Sequence, residues 1–276
     1  MDFFTQRHYR GRLQAAIFDW AGTTVDYGCL APAGAFQTLF RMNGIEATIA
    51  QAREPMGMHK RDHIATMLAM PPLAAQWVQE HGAPHTDKDV EALFQAFIPL
   101  QLEALPNFLN VIPGVVDTVE ALRKRGMKIG ATTGYNEEMM ALCSEAGAAA
   151  GYIPDVSIAV TQVPAGRPAP WMAVKAAMEL QVFPWESIVK IGDTVTDVLE
   201  GLNAGMWTVA VTRTGNEVGL SQADTDALPA DELRARVERA TLKLAQAGAH
   251  YVIEGVADLV PVLDEIEHRL ARGERP

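Results

Sequence analysis

Five side chains near the ends of short apolar runs could together handle a phosphoryl group. Asp19 closes the run spanning residues 13–18. Thr133 and Gly134 follow Met127–Thr132, Arg167 lies in the stretch after Val160, and Asp193 and Asp197 follow Ile188–Ile191. A carboxylate such as Asp19 can attack phosphorus and form an aspartyl-phosphate. Attack of one anion on another calls for a divalent cation between them, and Mg²⁺ takes a few carboxylates plus waters. Asp19 and Asp193 are the candidate ligands. Asp197, one helical turn on, would hold the metal or its waters. The Thr133 hydroxyl and backbone N–H groups near Gly134 offer donors to phosphoryl oxygens. The planar Arg167 fork would stabilise charge in the transition state. Each residue alone has a plainer explanation, since an Asp after a strand is often a helix cap. Their conjunction, in this order, carries the reading.

Bringing these residues together takes strands that all end on one edge of a sheet. The runs 13–18, Met127–Thr132, Ser157–Val160, Ile188–Ile191, Trp207–Val211 and His250–Ile253 lack polar alternation. Such runs read as strands buried on both faces. Helical patterns lie between them: Val115–Arg125 closed by Gly126, Asn136–Ala146 closed by Gly147, Pro170–Leu180 and Thr194–Ala204. This alternation predicts an α/β fold, a doubly wound (Rossmann-like) parallel sheet. Ligands bind such sheets at the carboxyl ends of the strands.

Residues 27–107 differ, with no strand run. Helical segments Ala33–Met42, Lys60–Ala69, Leu73–His81 and Lys88–Leu105 are broken by Gly44, Pro55-Met56-Gly57, Pro71-Pro72 and Pro84. The expectation is a catalytic core of residues 1–26 and 108–276, with an all-helical cap domain, 27–107, roofing the site. A helical decoration without a catalytic part is the alternative. Asp231–Gln246 reads as an amphipathic structural helix. Gly215-Asn216-Glu217-Val218-Gly219 predicts a loop at the carboxyl edge, touching cap or substrate. It is not a dinucleotide fingerprint, so no dinucleotide cofactor is expected.

The 276 residues are 49% hydrophobic and 21% charged, which suits a soluble globular protein. A net charge of −11 argues against a nucleic-acid partner. No run of about eighteen apolar residues suggests a membrane span. The first residues, MDFFTQRHYRGRLQ, lack the apolar stretch of a signal peptide, so Cys29 and Cys143 are expected reduced in the cytoplasm.

The pattern Asp19…Thr133…Arg167…Gly192-Asp193-Thr194-x-x-Asp197 resembles the haloacid dehalogenase superfamily, including a helical cap after the first strand. Many phosphatases of that superfamily carry an acid two residues after the nucleophile. Here the position is Ala21. A phosphate monoester would miss that proton donor, at a cost of about 10²–10⁴-fold, whereas a carbon leaving group would not need it. The Ala21 carbonyl could still ligate the metal.

Four further segments narrow the branch. They are Asp19–Gly28, Met56-Gly57-Met58-His59-Lys60-Arg61-Asp62-His63, and Gly166-Arg167-Pro168-Ala169-Pro170, together with Thr132-Thr133-Gly134-Tyr135. They resemble the phosphonoacetaldehyde hydrolase family. That resemblance implies that Lys60 forms an imine with the substrate aldehyde, that the C–P bond is then cleaved to acetaldehyde and phosphate in phosphonate degradation, and that the protein is a homodimer, with the cap as the candidate interface. Met42, Met67 and Met70 are compatible with such a surface. Lys60 must be neutral to attack, and a helix N-terminus, Arg61, the metal and a dry lid would all lower its pKa. Met56 and Tyr135 are expected to shape the aldehyde pocket. His63, one turn from Lys60, is expected to assist proton transfer or place water. His59 and His63 are spaced for a shared metal, but the carboxylates already account for one. The competing readings are a phosphomonoesterase or phosphomutase of the same superfamily, and a catalytically silent binding protein.

Overall fold

The computed structural model describes residues 8–276. Six parallel strands form one sheet in the order β3-β2-β1-β4-β5-β6. They are β1 (Ala15–Asp19), β2 (Lys128–Thr133), β3 (Val156–Ala159), β4 (Ile188–Gly192), β5 (Trp207–Val211) and β6 (Tyr251–Ile253). β1, β4 and β5 are buried along their whole length, as strands covered on both faces should be. β1 sits between β2 and β4, with Asp19 in register with Thr132. The fold class is the expected doubly wound α/β architecture, and the strand order changes direction at β1, where such sheets open a crevice.

Five α-helices separate β1 from the next core helix: α1 (Leu30–Met42), α2 (Ile49–Arg53), α3 (Lys60–Ala69), α4 (Pro71–His81) and α5 (Asp87–Ala104). Their ends are set by local chemistry. Thr48 and Gln51 form a capping box on α2, Thr86 and Asp89 one on α5, and Gly82 closes α4 in the left-handed region. α1 and α3 pack on α5, burying Phe36, Leu39, Phe40, Ile64, Leu68 and Phe97.

The chain continues through α6 (Val115–Lys124), α7 (Glu137–Ala149), α8 (Trp171–Glu179) and α9 (Val195–Asn203), each following the strand pattern closely. Three short or late helices complete it: α10 (Gln222–Ala227), α11 (Ala230–Gln246) and α12 (Leu259–Ala271). Two differences from the sequence reading stand out. α7 does not stop before Gly147 but runs through it. That glycine faces the Tyr152 carbonyl, where a Cβ would stand 3.0 Å away, so it permits close packing and does not end the helix. α12 was not foreseen, although Leu259, Leu263, Ile266 and Leu270 place one buried stripe at helical spacing. No helix among the described residues is long and apolar enough to cross a membrane.

Candidate active site

The carboxyl ends of β1, β2 and β4 and the insert close around a tight cavity of about 20 Å³. Asp19, Ala21, Thr133, Gly134, Tyr135, Arg167 and Thr194 line it from the core, and Cys29, Pro32, Met56, Gly57 and Lys60 from the segments leading into and through the insert. Most of the candidate residues meet here.

Arg167 is the hub. Its Nη2 donates to Asp19 Oδ1 at 2.7 Å and to Thr132 Oγ1 at 2.7 Å. Its Nη1 pairs with Asp197 Oδ1 at 3.1 Å, and its Nε donates to Glu200 Oε2 at 2.9 Å. Among the described residues Asp19 takes no other hydrogen bond to its carboxylate, so its second oxygen is free. Burial raises the Asp19 pKa, and Arg167 opposes that rise.

Asp197 begins as helix chemistry. With Thr194 it forms the capping box of α9. Its Oδ1 also receives Lys190 Nζ at 2.7 Å. Burial pushes the Asp197 carboxyl up, but Arg167 and Lys190 outweigh it and leave the pKa below the usual value. Asp193 differs. It accepts from Thr23 Oγ1 at 3.0 Å and from the Asn216 backbone N–H at 2.7 Å, yet no cation of the described chain pairs with it. Burial, with Asp19 and Asp197 nearby, raises its pKa well above the ordinary range.

These contacts test whether a metal fits. Oxygens of Asp19, Asp193 and Asp197 lie within 4.8 Å of one another. In the cluster Asp19, Asp193, Asp197 and Glu200 face only two cations, Arg167 and Lys190, all six buried. The excess is two negative charges, the charge of one divalent cation. Unpaired buried carboxylates are costly, so the donor set fits a hard divalent ion. Asp19 keeps one oxygen clear of Arg167 and Asp193 has no cationic partner, so these two could ligate such an ion, while Asp197 is already held by two cationic side chains.

Lys60 is the first residue of α3. It is buried, and its Nζ lies 5.1 Å from the Tyr135 ring centroid and 5.6 Å from that of Phe36. Among the described residues it makes no hydrogen bond or ion pair. Burial lowers its pKa to about 8, against the opposing pull of Asp19, with Arg167 adding to the fall. Arg61 does not contribute as expected. Its guanidinium turns outward to Glu91 at 3.1 Å and Asp87 at 3.6 Å.

The insert is seated on the core beside Lys60. Thr196 Oγ1 donates to the Met56 carbonyl at 3.1 Å. Gly57 has φ +87°, and any Cβ there would collide with Thr194 and Thr196. Gly134 faces the Met58 carbonyl, where a Cβ would stand 2.9 Å away.

His63 is not brought to the cavity. Its ring stacks on Phe36 with centroids 3.7 Å apart, and its Nε2 lies 2.9 Å from the Ala52 carbonyl. The imidazole is fully buried in the packing of the insert, behind Lys60, and burial holds its pKa well below the usual value. His59 is half-buried and lies 3.9 Å from Asp62, and it is not part of the Asp19, Asp193 and Asp197 cluster. Met67 is fully buried, which removes it from any partner surface, whereas Met42 is 68% exposed. Both cysteines are free and buried, and Cys29 lines the cavity.

The sequence reading missed Lys190 and Glu200; it placed the Gly215–Gly219 loop at this edge, where Asn216 does meet Arg53 of the insert, but not the bonds from Asn216 and Thr23 to Asp193. A lysine inside the buried strand Ile188–Gly192 was a visible signal of an internal ion pair. Glu200 offered none, because a helix glutamate is ordinarily exposed.

Comparison with known proteins agrees with this geometry. The haloacid dehalogenase-like hydrolase family model matches residues 13–205. A protein of Nitratidesulfovibrio vulgaris named phosphonoacetaldehyde hydrolase is 47% identical over 99% of this chain and 98% of its own. A Clostridioides difficile protein named bifunctional phosphonoacetaldehyde hydrolase/aminoethylphosphonate transaminase is 44% identical over 96% of this chain, which spans 42% of that protein. The crystal structure of a phosphonoacetaldehyde hydrolase-like protein from Oleispira antarctica superposes with a TM-score of 0.98, at 42% identity and full coverage of both chains.

Proposed function

The chain belongs to the phosphonoacetaldehyde hydrolases of the haloacid dehalogenase-like family, and we propose that it works through a Lys60 imine and an Asp19 phosphoryl-enzyme. The observation that carries this reading is one cavity lined by both Lys60 and Asp19, an amine and a carboxylate from opposite sides.

The Lys60 amine attacks the aldehyde carbon and water leaves, giving a protonated imine. Asp19 attacks phosphorus through its free oxygen. The C–P electron pair moves into the iminium, leaving an enamine on Lys60. Water then hydrolyses the aspartyl-phosphate to phosphate. The enamine takes a proton on carbon, and hydrolysis of the imine frees acetaldehyde and Lys60. Arg167 and Thr133, with the backbone at Gly134, hold the phosphoryl oxygens, and Met56 and Tyr135 wall the aldehyde. Mg²⁺ held by Asp19, Asp193 and the Ala21 carbonyl, with Asp197 behind, would neutralise charge between nucleophile and phosphoryl group.

Ala21 at the cavity wall supports a carbon leaving group over a phosphomonoester. A place in 2-aminoethylphosphonate degradation, a cytoplasmic location and a homodimer seated on the insert near Met42 complete the reading. The test is borohydride trapping with phosphonoacetaldehyde, followed by peptide mapping. The expected result is a two-carbon adduct on Lys60 and equal yields of acetaldehyde and phosphate. Full activity in Lys60→Arg would overturn the imine.

A further inference from the structure

The loop Gly215–Gly219 has no part in the reaction above, yet it touches both the core site and the insert. The Asn216 backbone N–H donates to Asp193 Oδ2 at 2.7 Å. The Asn216 side chain meets Arg53, the last residue of α2. Arg53 Nη1 donates to Asn216 Oδ1 at 3.1 Å, and Asn216 Nδ2 returns a bond to the Arg53 carbonyl at 3.2 Å. Arg53 also donates to the Gly219 carbonyl at 3.0 Å and to the Gly28 carbonyl, in the segment leading into the insert, at 2.8 Å. The Gly28 N–H in turn donates to the Thr214 carbonyl at 2.7 Å.

The loop's glycines fit this arrangement. A Cβ on Gly215 would collide with the Asp193 side chain. Gly219 has φ +66°, and a Cβ there would stand 2.8 Å from Arg53 Cζ. The loop is thus shaped to lie against a carboxylate on one side and a guanidinium on the other.

We propose that Arg53 is a positioning residue for the Asp193 carboxylate, acting through Asn216 when the insert is seated on the core. Seating brings the guanidinium fork to the loop, the fork fixes Asn216, and Asn216 aims Asp193 at the divalent cation. Coupling of this kind is reciprocal, so a cation at Asp193 also favours the seated insert. The inference rests on the reading of Asp193 as a metal ligand.

The test measures Mn²⁺ binding directly, by electron paramagnetic resonance of the free ion, in the full chain and in Arg53→Met, Arg53→Lys, Asn216→Ala and the Arg53→Met/Asn216→Ala double variant. Hydrogen bonds to charged groups are strong enough that each single loss should weaken Mn²⁺ binding about tenfold. The double variant should be no weaker than the poorer single one, because the two act in series. Arg53→Lys, with a charge but no fork, should recover part of the loss. At saturating Mn²⁺ the variants should regain most of their kcat. Unchanged Mn²⁺ affinity alongside a lower melting temperature would overturn the proposal and leave Arg53 a staple of the linker. Additive losses in the double variant would overturn the series connection. A wild-type chain that binds no Mn²⁺ would instead bring down the metal reading itself.

Discussion

The Lys60 Nζ lies 5.1 Å from the centroid of the Tyr135 ring, so an amine of the insert rests over an aromatic that follows β2. The ring face favours ammonium, but burial disfavours it more and brings the lysine pKa to about 8. The neutral amine is therefore accessible near physiological pH. A profile of kcat/KM should rise with pH toward a limb near 8. Tyr135→Phe, which keeps the ring, should leave that limb in place.

The same burial sets a stability trend. The folded pKa of Lys60 is about 8 and its ordinary value 10.5. Between those values the unfolded chain binds the extra proton, so stability rises with pH across that window. Below pH 8 the penalty is fully present. Lys60→Met should be more stable than the wild type at pH 7, by up to about 3 kcal/mol, and should lose the rise between pH 8 and 10.5. Urea denaturation at a series of pH values would measure both.

Asp193 has neutral donors but no cationic partner in the described chain. Chelation should therefore lower the melting temperature, and added Mg²⁺ should restore it, with stabilisation growing as the logarithm of free metal over its dissociation constant. In Asp193→Asn this response should vanish, and the apo form should melt no lower than apo wild type. Calorimetry with and without chelator reads both results. An undiminished Mg²⁺ response in Asp193→Asn would contradict the assignment.

Glu200 holds Arg167 Nε at 2.9 Å and lies 3.6 Å from Lys190, with its other oxygen accepting from the Ala173 N–H at 3.2 Å. Removing it leaves the Arg167 Nε and the Ala173 N–H without their acceptor, while both cations keep Asp197. Glu200→Ala should destabilise by roughly 1–3 kcal/mol for each buried donor left unmatched. Glu200→Gln retains the shape and should lose less stability. It should still lower kcat, because Arg167 is then less firmly held against Asp19.

Phe36 stacks on His63 at 3.7 Å and on Phe97 at 4.4 Å. Phe36→Ala should cost about 3–5 kcal/mol as a large core truncation. It should also unfix the imidazole behind Lys60, raising the His63 pKa toward its ordinary value. Histidine resonances followed through a pH titration would report that shift.

Much of this was legible in advance because the decisive residues terminate strands. Asp19, Thr133 and Asp193 each follow an apolar run, and parallel strands deliver their ends to one edge without further information. Lys60 was placed at the start of α3 because proline and glycine break the chain just before it. Glu200 was not legible, since its burial depends on Arg167, which arrives from a loop far away in sequence. Arg61 was misjudged for the same reason: only folding shows that Asp87 and Glu91, on α5, draw it outward. His63 looked available by helical spacing, and its stacking on Phe36 is a tertiary fact. α12 escaped because its apolar stripe went unread, although its period was present.

The placement of β1 has a consequence for biosynthesis. This strand is central to the sheet, yet all five helices of the insert are made before its first neighbour, β2, exists. The insert's contacts are local, so it can gain structure early, while the apolar segment Ala15–Asp19 waits unpaired. A nascent chain halted within α6 should thus expose a β1 segment that binds chaperones avidly, and release should follow once β2 and β4 emerge to flank it.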